Sequence, residues 1–220
     1  MSILLATPTG DEKVCTNYFT SVTRLKPMPD IITLACSLVT IGRNGIVSTF
    51  MKGDWETLMF VDSDVGFSPD EFNRVTNTDF DVCAGVYAKR KEGAGFPVHA
   101  SHVGKVDENG YAETLFAPTG FMAIKRPVFE RMFEAGMGKS EIFDTYYDKP
   151  RDHYYSEDNA FCLRWRSLGG KIHLDTTCNL THMGTKDYSA NFNDYLTRYR
   201  ADPASDYGFE SQAKVLTKGK

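Results

Sequence analysis

Two carboxylates one residue apart, Asp62 and Asp64, follow directly on the apolar run Thr57–Val61. Side chains alternate along an extended chain, so if that geometry persists both acids share a face and Ser63 takes the other. Carboxylates this close repel unless a cation lies with them, and oxygen ligands suit Mg²⁺ or Mn²⁺. A solvated Asp-Ser-Asp turn carries the same letters, and the motif alone separates neither reading. A second acidic pair, Glu157-Asp158, comes after Tyr154-Tyr155-Ser156 at the start of a helical stretch. Acidic side chains in a first turn are favoured by the helix dipole, and the same placement suits a general base facing substrate. Thr181-His182-Met183-Gly184 puts a lone imidazole beyond an apolar strand, where it either packs or ligates. Gly42-Arg43-Asn44-Gly45 reads as the opening of a helix, where amides and a guanidinium would receive a phosphate. An arginine exposed to water there is the competing reading. His99, His102, His153 and His173 fall in no ligand spacing.

The elements that must position these groups come in an alternating series. Ser2–Thr7, Ile31–Val39, Thr57–Val61 and Val82–Tyr87 read as buried strands. Between them Asp11–Leu25 and Arg43–Lys52 have helical character, and Ser68-Pro69-Asp70-Glu71 carries the letters of a capping box. Apolar strands alternating with helices predict an α/β fold, its central sheet mostly parallel and flanked by helices. The second half reads as a smaller mixed or antiparallel sheet. There Val103–Val106 and Tyr111–Leu115 flank a turn at Asn109-Gly110, and Phe121–Lys125 and Lys171–Asp175 are strands. Helices are expected at Pro127–Ala135 and Ser156–Leu168, with a long loop over 137–155 and no clear pattern after Lys186. The expected division is one domain: a nucleotide-binding half over 1–92, an acceptor half over 93–185, and an extension over 186–220.

Composition narrows the classes. The chain has 220 residues and a formal charge of -4, so a protein that holds nucleic acid through its net field is disfavoured. No apolar run reaches the ~18 residues of a membrane span, and the N-terminus lacks the pattern of a signal peptide. Five scattered cysteines without a C-x-x-C pair suit buried thiols in a reducing compartment, so a cytoplasmic location is expected. Neither a Gly-rich dinucleotide loop, a P-loop nor a nucleophile elbow is present.

Taken in order, PTG, GRN, LMFVDSD, AGVYAKRK, PTGFMAIKRPVF, YYSEDNAFCLRWRSLGGKIHLD and THMG resemble the GT-A fold nucleotide-diphosphosugar glycosyltransferases. The likeness is to the small soluble family 2-like enzymes of phages and large algal viruses, and spans roughly residues 1–185. It implies a metal-dependent, inverting transferase that moves a sugar from a UDP- or GDP-sugar to a hydroxyl on a glycan, a glycoprotein such as a capsid protein, or a modified nucleic acid. Thr7, Pro8 and Thr9 would border the nucleotide base, with Arg43 at the base or diphosphate. Asp62 and Ser63 would lie at the ribose, and Asp62, Asp64 and His182 would hold Mn²⁺ or Mg²⁺. Tyr87, Lys89, Gly120 and Phe121 would surround the donor sugar. Asp158 would be the catalytic base, and Glu157 would hold hydroxyls. A nucleotidyltransferase acting on sugar phosphates and a non-catalytic nucleotide-sugar-binding module are the competing readings.

Overall fold

Strands whose side chains are apolar on both faces can only be stable inside a sheet covered on both sides. A computed structural model of the chain, which describes residues 2–90, 95–184 and 187–201, has that arrangement. The first part runs β1 (Ile3–Thr9), α1 (Thr16–Thr23), β2 (Asp30–Ala35), α2 (Val39–Phe50), β3 (Thr57–Val61), β4 (Val65–Gly66), α3 (Pro69–Thr76) and β5 (Val82–Gly85). The second runs β6 (Tyr111–Thr114), β7 (Phe121–Lys125), α4 (Arg126–Glu134), β8 (Tyr146–Asp148), β9 (His153–Tyr155), α5 (Glu157–Ser167) and β10 (Ile172–Asp175). β11 (Thr181–Met183), β12 (Asp187–Tyr188) and α6 (Phe192–Ala201) follow.

The main sheet has the order β2-β1-β3-β7-β5-β10-β6. β2, β1, β3, β5 and β10 run in one direction, with β7 and β6 against them. The expected mostly parallel α/β sheet is therefore present, with antiparallel β7 set between β3 and β5. β12-β11-β4 and β8-β9 form small antiparallel sheets. Alternation along the strands divides the core. Leu4, Ala6, Leu58 and Phe60 pack with Ile46, Val47, Phe50, Phe161 and Trp165 on one face. Leu5, Met59 and Val61 pack with Tyr18, Val22, Phe72 and Val75 on the other. So α2 and α5 cover one side, and α1 and α3 the other.

Local signals explain most boundaries. Ser68 and Glu71 close the capping box of α3, and the second Glu71 oxygen accepts from the Asn179 amide at 2.6 Å. That contact ties the chain leaving β10 to the start of α3. Gly110 adopts φ +88°, as the Asn-Gly turn requires.

Several expectations are corrected. Ile31–Val39 is not one strand: β2 ends at Ala35 and α2 begins at Val39, its first turn exposed at Val39 and Ile41 and carried by the burial of Arg43, Ile46, Val47 and Phe50 farther along the helix. Asp11–Leu25 is helical only over Thr16–Thr23. Val103–Val106 pairs with β6 through a single bridge, Val103 to Thr114, rather than as a strand. The 137–155 segment contains the β8-β9 hairpin, and β12 and α6 lie beyond Lys186. Phe192 and Leu196 of α6 are buried in the main core, with Phe192 in ring contact with Phe96. Of the five cysteines, Cys83, Cys162 and Cys178 are buried, whereas Cys15 and Cys36 are only partly covered. Burial pushes the Cys162 thiol up to about 12, so it is inert at neutral pH.

Asp175, fully buried at the end of β10, is held by Arg74 of α3 through Nε at 2.5 Å and Nη2 at 3.1 Å. Thr177 adds its amide at 2.8 Å and its hydroxyl at 2.6 Å. Arg74→Met leaves a buried carboxylate without its cation, and should lower stability by roughly 3 kcal/mol in urea titrations. A loss near zero would mean that Thr177 alone satisfies Asp175.

Candidate active-site cleft

In open α/β sheets ligands sit beyond the carboxyl ends of the strands, and the cleft here is built there. β1 contributes Pro8 and Thr9, with Gly10 beyond it, and the chain leaving β2 contributes Cys36 and Ser37. Val39 and Arg43 of α2, Asp62, Ser63 and Asp64 after β3, Arg90 and Glu157 complete a cavity of about 290 Å³. Extended geometry stops at Val61. The Asp62 amide donates to the Gly120 carbonyl at 2.9 Å and the Val65 amide to the Asp62 carbonyl at 3.1 Å. Asp62 and Asp64 thus reach the cleft from a turn and not by strand alternation, which corrects the face argument while leaving both acids at the cavity.

Arg43 lies in the body of α2, four residues past its first residue, and the Gly42 amide is already bonded to the Leu38 carbonyl at 3.1 Å. A phosphate site made of amides at Gly42–Gly45 is therefore excluded; what remains is the guanidinium. It is 3% exposed, lies 5.2 Å from the centre of the Phe60 ring, and donates from Nη2 to Asp62 Oδ1 at 2.9 Å. Glu157 Oε1 is 3.6 Å from Nε, too far for a hydrogen bond. Nε and Nη1 have no hydrogen-bond partner among the described residues. A buried donor left unpaired costs about 1–3 kcal/mol, so the acids beside the guanidinium must offset that cost through their charge. Burial works against its charge, but Asp62 and Glu157 outweigh it and hold its pKa above the ordinary value. Glu157 is moved upward, chiefly by burial and then by the Asp158 charge, with Arg43 opposing. Asp158 accepts a hydrogen bond from the Ser156 hydroxyl and another from the Asn159 amide at 2.7 Å.

Behind the turn, a Cβ built on Gly120 would lie 2.5 Å from both Asp62 Oδ2 and the Tyr87 hydroxyl. Only glycine lets these groups converge. The Tyr87 phenol is buried, which holds its pKa well above the usual value, and its ring meets His182 edge-on at 4.7 Å. His182 Nδ1 is 2.8 Å from the Ala88 carbonyl, which fixes the proton on Nδ1 and leaves the Nε2 lone pair free. That lone pair accepts from Arg90 Nε at 3.0 Å and faces Asp64 Oδ1 at 3.6 Å, and Arg90 Nη2 contacts Asp64 Oδ2. Burial lowers the His182 pKa, which favours the neutral ring.

No group of three or more His, Cys, Asp or Glu side chains is gathered for a metal among the described residues. The donor chemistry nevertheless fits a divalent cation at Asp64 and His182. One carboxylate faces one imidazole whose other nitrogen is anchored to a carbonyl, the usual arrangement of a ligating histidine. Such sites complete their coordination with water and substrate phosphate. Asp62 is engaged by Arg43 instead.

The expected site residues thus separate. Pro8, Thr9, Arg43, Asp62, Ser63, Asp64 and Glu157 share the cleft. Tyr87, Gly120 and His182 stand against it through the contacts above, and Asp158 adjoins Glu157 in the first turn of α5. Two residues are core instead. Thr7 is fully buried with its hydroxyl 2.6 Å from that of Tyr18, and Phe121 packs on Phe67 beneath the sheet. Lys89 is partly buried and outside the cleft lining, with its amide bonded to the Gly95 carbonyl at 3.0 Å. Gly10, Cys36, Ser37, Val39 and Arg90 were not expected. Cys36 and Ser37 lay inside the expected strand Ile31–Val39 and come to the cleft only because β2 ends at Ala35; Arg90 had only its place in the basic run Lys89-Arg90-Lys91.

No protein-family model and no curated protein matches the sequence. Among solved structures the chain is similar to the STIV protein A197, at 20% identity and a TM-score of 0.59, over 88% of this chain and 91% of that one. It is also similar to GalNAc-T7, crystallised with UDP, GalNAc and Mn²⁺, at 10% identity and a TM-score of 0.55. That match covers 87% of this chain but 44% of the other, so the chain spans less than half of that protein. The fold is GT-A-like.

The Glu157 environment sets a pH dependence. Its folded pKa lies above the reference 4.5, so folding favours the protonated acid. Stability is unpenalised below the unfolded pKa and falls as pH rises from there through the folded value. Glu157→Gln should therefore gain in Tm relative to the unsubstituted chain between about pH 4 and about pH 7. A Tm difference that stays constant over that range would contradict a burial penalty at Glu157.

Proposed function

We propose that the chain is a metal-dependent, inverting glycosyltransferase that takes a sugar from a UDP- or GDP-linked donor and places it on an acceptor hydroxyl. The observation that carries this reading is the buried Arg43 guanidinium. It brings a positive charge to the wall of a cleft that also holds Asp62, Asp64 and Glu157, at the strand ends of a GT-A-like sheet. UDP, GalNAc and Mn²⁺ are bound in GalNAc-T7, and ligands of the same classes are proposed here. The acceptor would be a glycan, a glycoprotein or a modified nucleic acid. Residues 1–92 would hold the donor and 93–185 the acceptor. No helix among the described residues is long and apolar enough to cross a membrane.

The proposed roles agree with the surroundings. Pro8 and Thr9 border the base, Arg43 meets the diphosphate, and Asp62 and Ser63 lie at the ribose. Tyr87 and Gly120 would lie toward the sugar, and Lys89, outside the cleft lining, would reach it only from the rim. Asp64 and His182 would hold the divalent cation, which when bound offsets charge on the departing diphosphate. Glu157, drawn toward Arg43, orients the guanidinium and acceptor hydroxyls. Asp158 has one oxygen held by Ser156 and Asn159 and takes the acceptor proton with the other. The acceptor oxygen then bonds to the anomeric carbon as the bond to the diphosphate oxygen breaks, and the nucleoside diphosphate leaves. A single carboxylate base implies direct displacement, hence inversion.

Thermal shifts with UDP and GDP, with and without Mn²⁺, followed by turnover with their sugars, test the proposal. Binding without release of nucleoside diphosphate would make the chain a binding module instead. Asp158→Asn should slow transfer by ~10²–10⁴-fold with donor affinity nearly unchanged. Retained transfer in Asp158→Asn but not in Glu157→Gln would move the base to Glu157.

A further inference from the structure

The two groups that would take the cation are both already occupied by a side chain of the protein. Arg90 Nε donates to His182 Nε2 at 3.0 Å, and Arg90 Nη2 contacts Asp64 Oδ2. The guanidinium uses the one lone pair that the imidazole has to offer, because Nδ1 is committed to Ala88. It also brings a positive charge to the carboxylate. A divalent cation needs the same lone pair and the same oxygens, and like charges exclude one another at this separation. Arg90 and the cation therefore cannot hold the pair together.

The surroundings let Arg90 leave. Its side chain is 50% exposed, against 15% for Asp64 and 12% for His182, so the competitor has solvent to move into and its two partners do not. The stem runs beside Gly184, where an added Cβ would lie 3.4 Å from Arg90 Cβ and Cδ. In this position Arg90 forms part of the cleft wall.

We propose that Arg90 is a built-in competitor at the Asp64–His182 pair, so that divalent binding is an exchange in which the guanidinium leaves its two partners. The inference rests on the proposed function only in taking a divalent cation as the incoming group. It assigns Arg90 a positioning role: the residue holds the pair in ligating geometry before the cation arrives and weakens apparent cation affinity by its own.

Mn²⁺ alone, titrated into the full chain and followed by loss of the free-ion EPR signal, tests this without donor or acceptor. Arg90→Gln should bind Mn²⁺ about tenfold more tightly, the value of one partly exposed charge-assisted contact. Arg90→Lys, whose single ammonium cannot span both partners in the same way, should fall between. Asp64→Asn added to Arg90→Gln should remove the gain, which places it at this pair. Equal or weaker affinity in Arg90→Gln would overturn the exchange, as would a gain that survives Asp64→Asn or no Mn²⁺ binding by any variant. Circular dichroism and Tm show that each variant is folded, and Arg90→Lys retains the charge should Arg90→Gln be unstable. Absence of transferase turnover would sink the proposed function and leave this titration standing.

Discussion

A guanidinium that is 3% exposed has to be neutralised by its neighbours, and Arg43 is the group around which the site is arranged. Its carboxylates come from opposite parts of the chain: Asp62 from the turn after β3, and Glu157 from the first turn of α5. Burying the cation therefore fixes α2, β3 and α5 against one another beside the strand ends. Asp62 in turn is packed against Gly120 and Tyr87, and Tyr87 against His182. Displacing Arg43 would disturb the site and the packing together.

Two adjacent carboxylates show how position divides labour. Glu157 turns into the cleft, where burial favours its neutral form and Arg43 its charged one. Asp158 turns toward Ser156 and the helix amides. Residues next to each other on a helix point about 100° apart, so a single turn can offer one acid to a buried cation and another elsewhere.

The sheet and the start of α3 were legible because they depend on apolar runs and capping letters, whereas the expected β2 ran on past Ala35. Thr57–Val61 was placed to the residue, and Ser68 and Glu71 form the capping box their spacing announced. Short-range geometry was less legible. The Asp62–Asp64 turn is fixed by Gly120, 58 positions beyond Asp62 (120 − 62), through a bond that no local pattern encodes. Thr7 and Phe121 sit beside Pro8 and Gly120 in sequence but face the core, since neighbours on a strand point to opposite sides. Arg90 was hidden among Lys89 and Lys91, because charge alone does not say which member of a basic run turns inward.

The place of β7 has a consequence for how the molecule is made. β3 and β5 are synthesised early, yet neither pairs with the other; each bonds to β7, whose residues begin at Phe121. While the first hundred residues are emerging from a ribosome, two largely apolar strands have open edges in the middle of the future sheet, and open edges invite pairing with other chains. The interval closes only when β7 is inserted, and the turn at Gly120 that precedes it bonds to Asp62 in the same event. Insertion of β7 thus joins β3 to β5 and braces the Asp62 turn together, while β10 and Glu157 of α5 must still follow before sheet and cleft are complete.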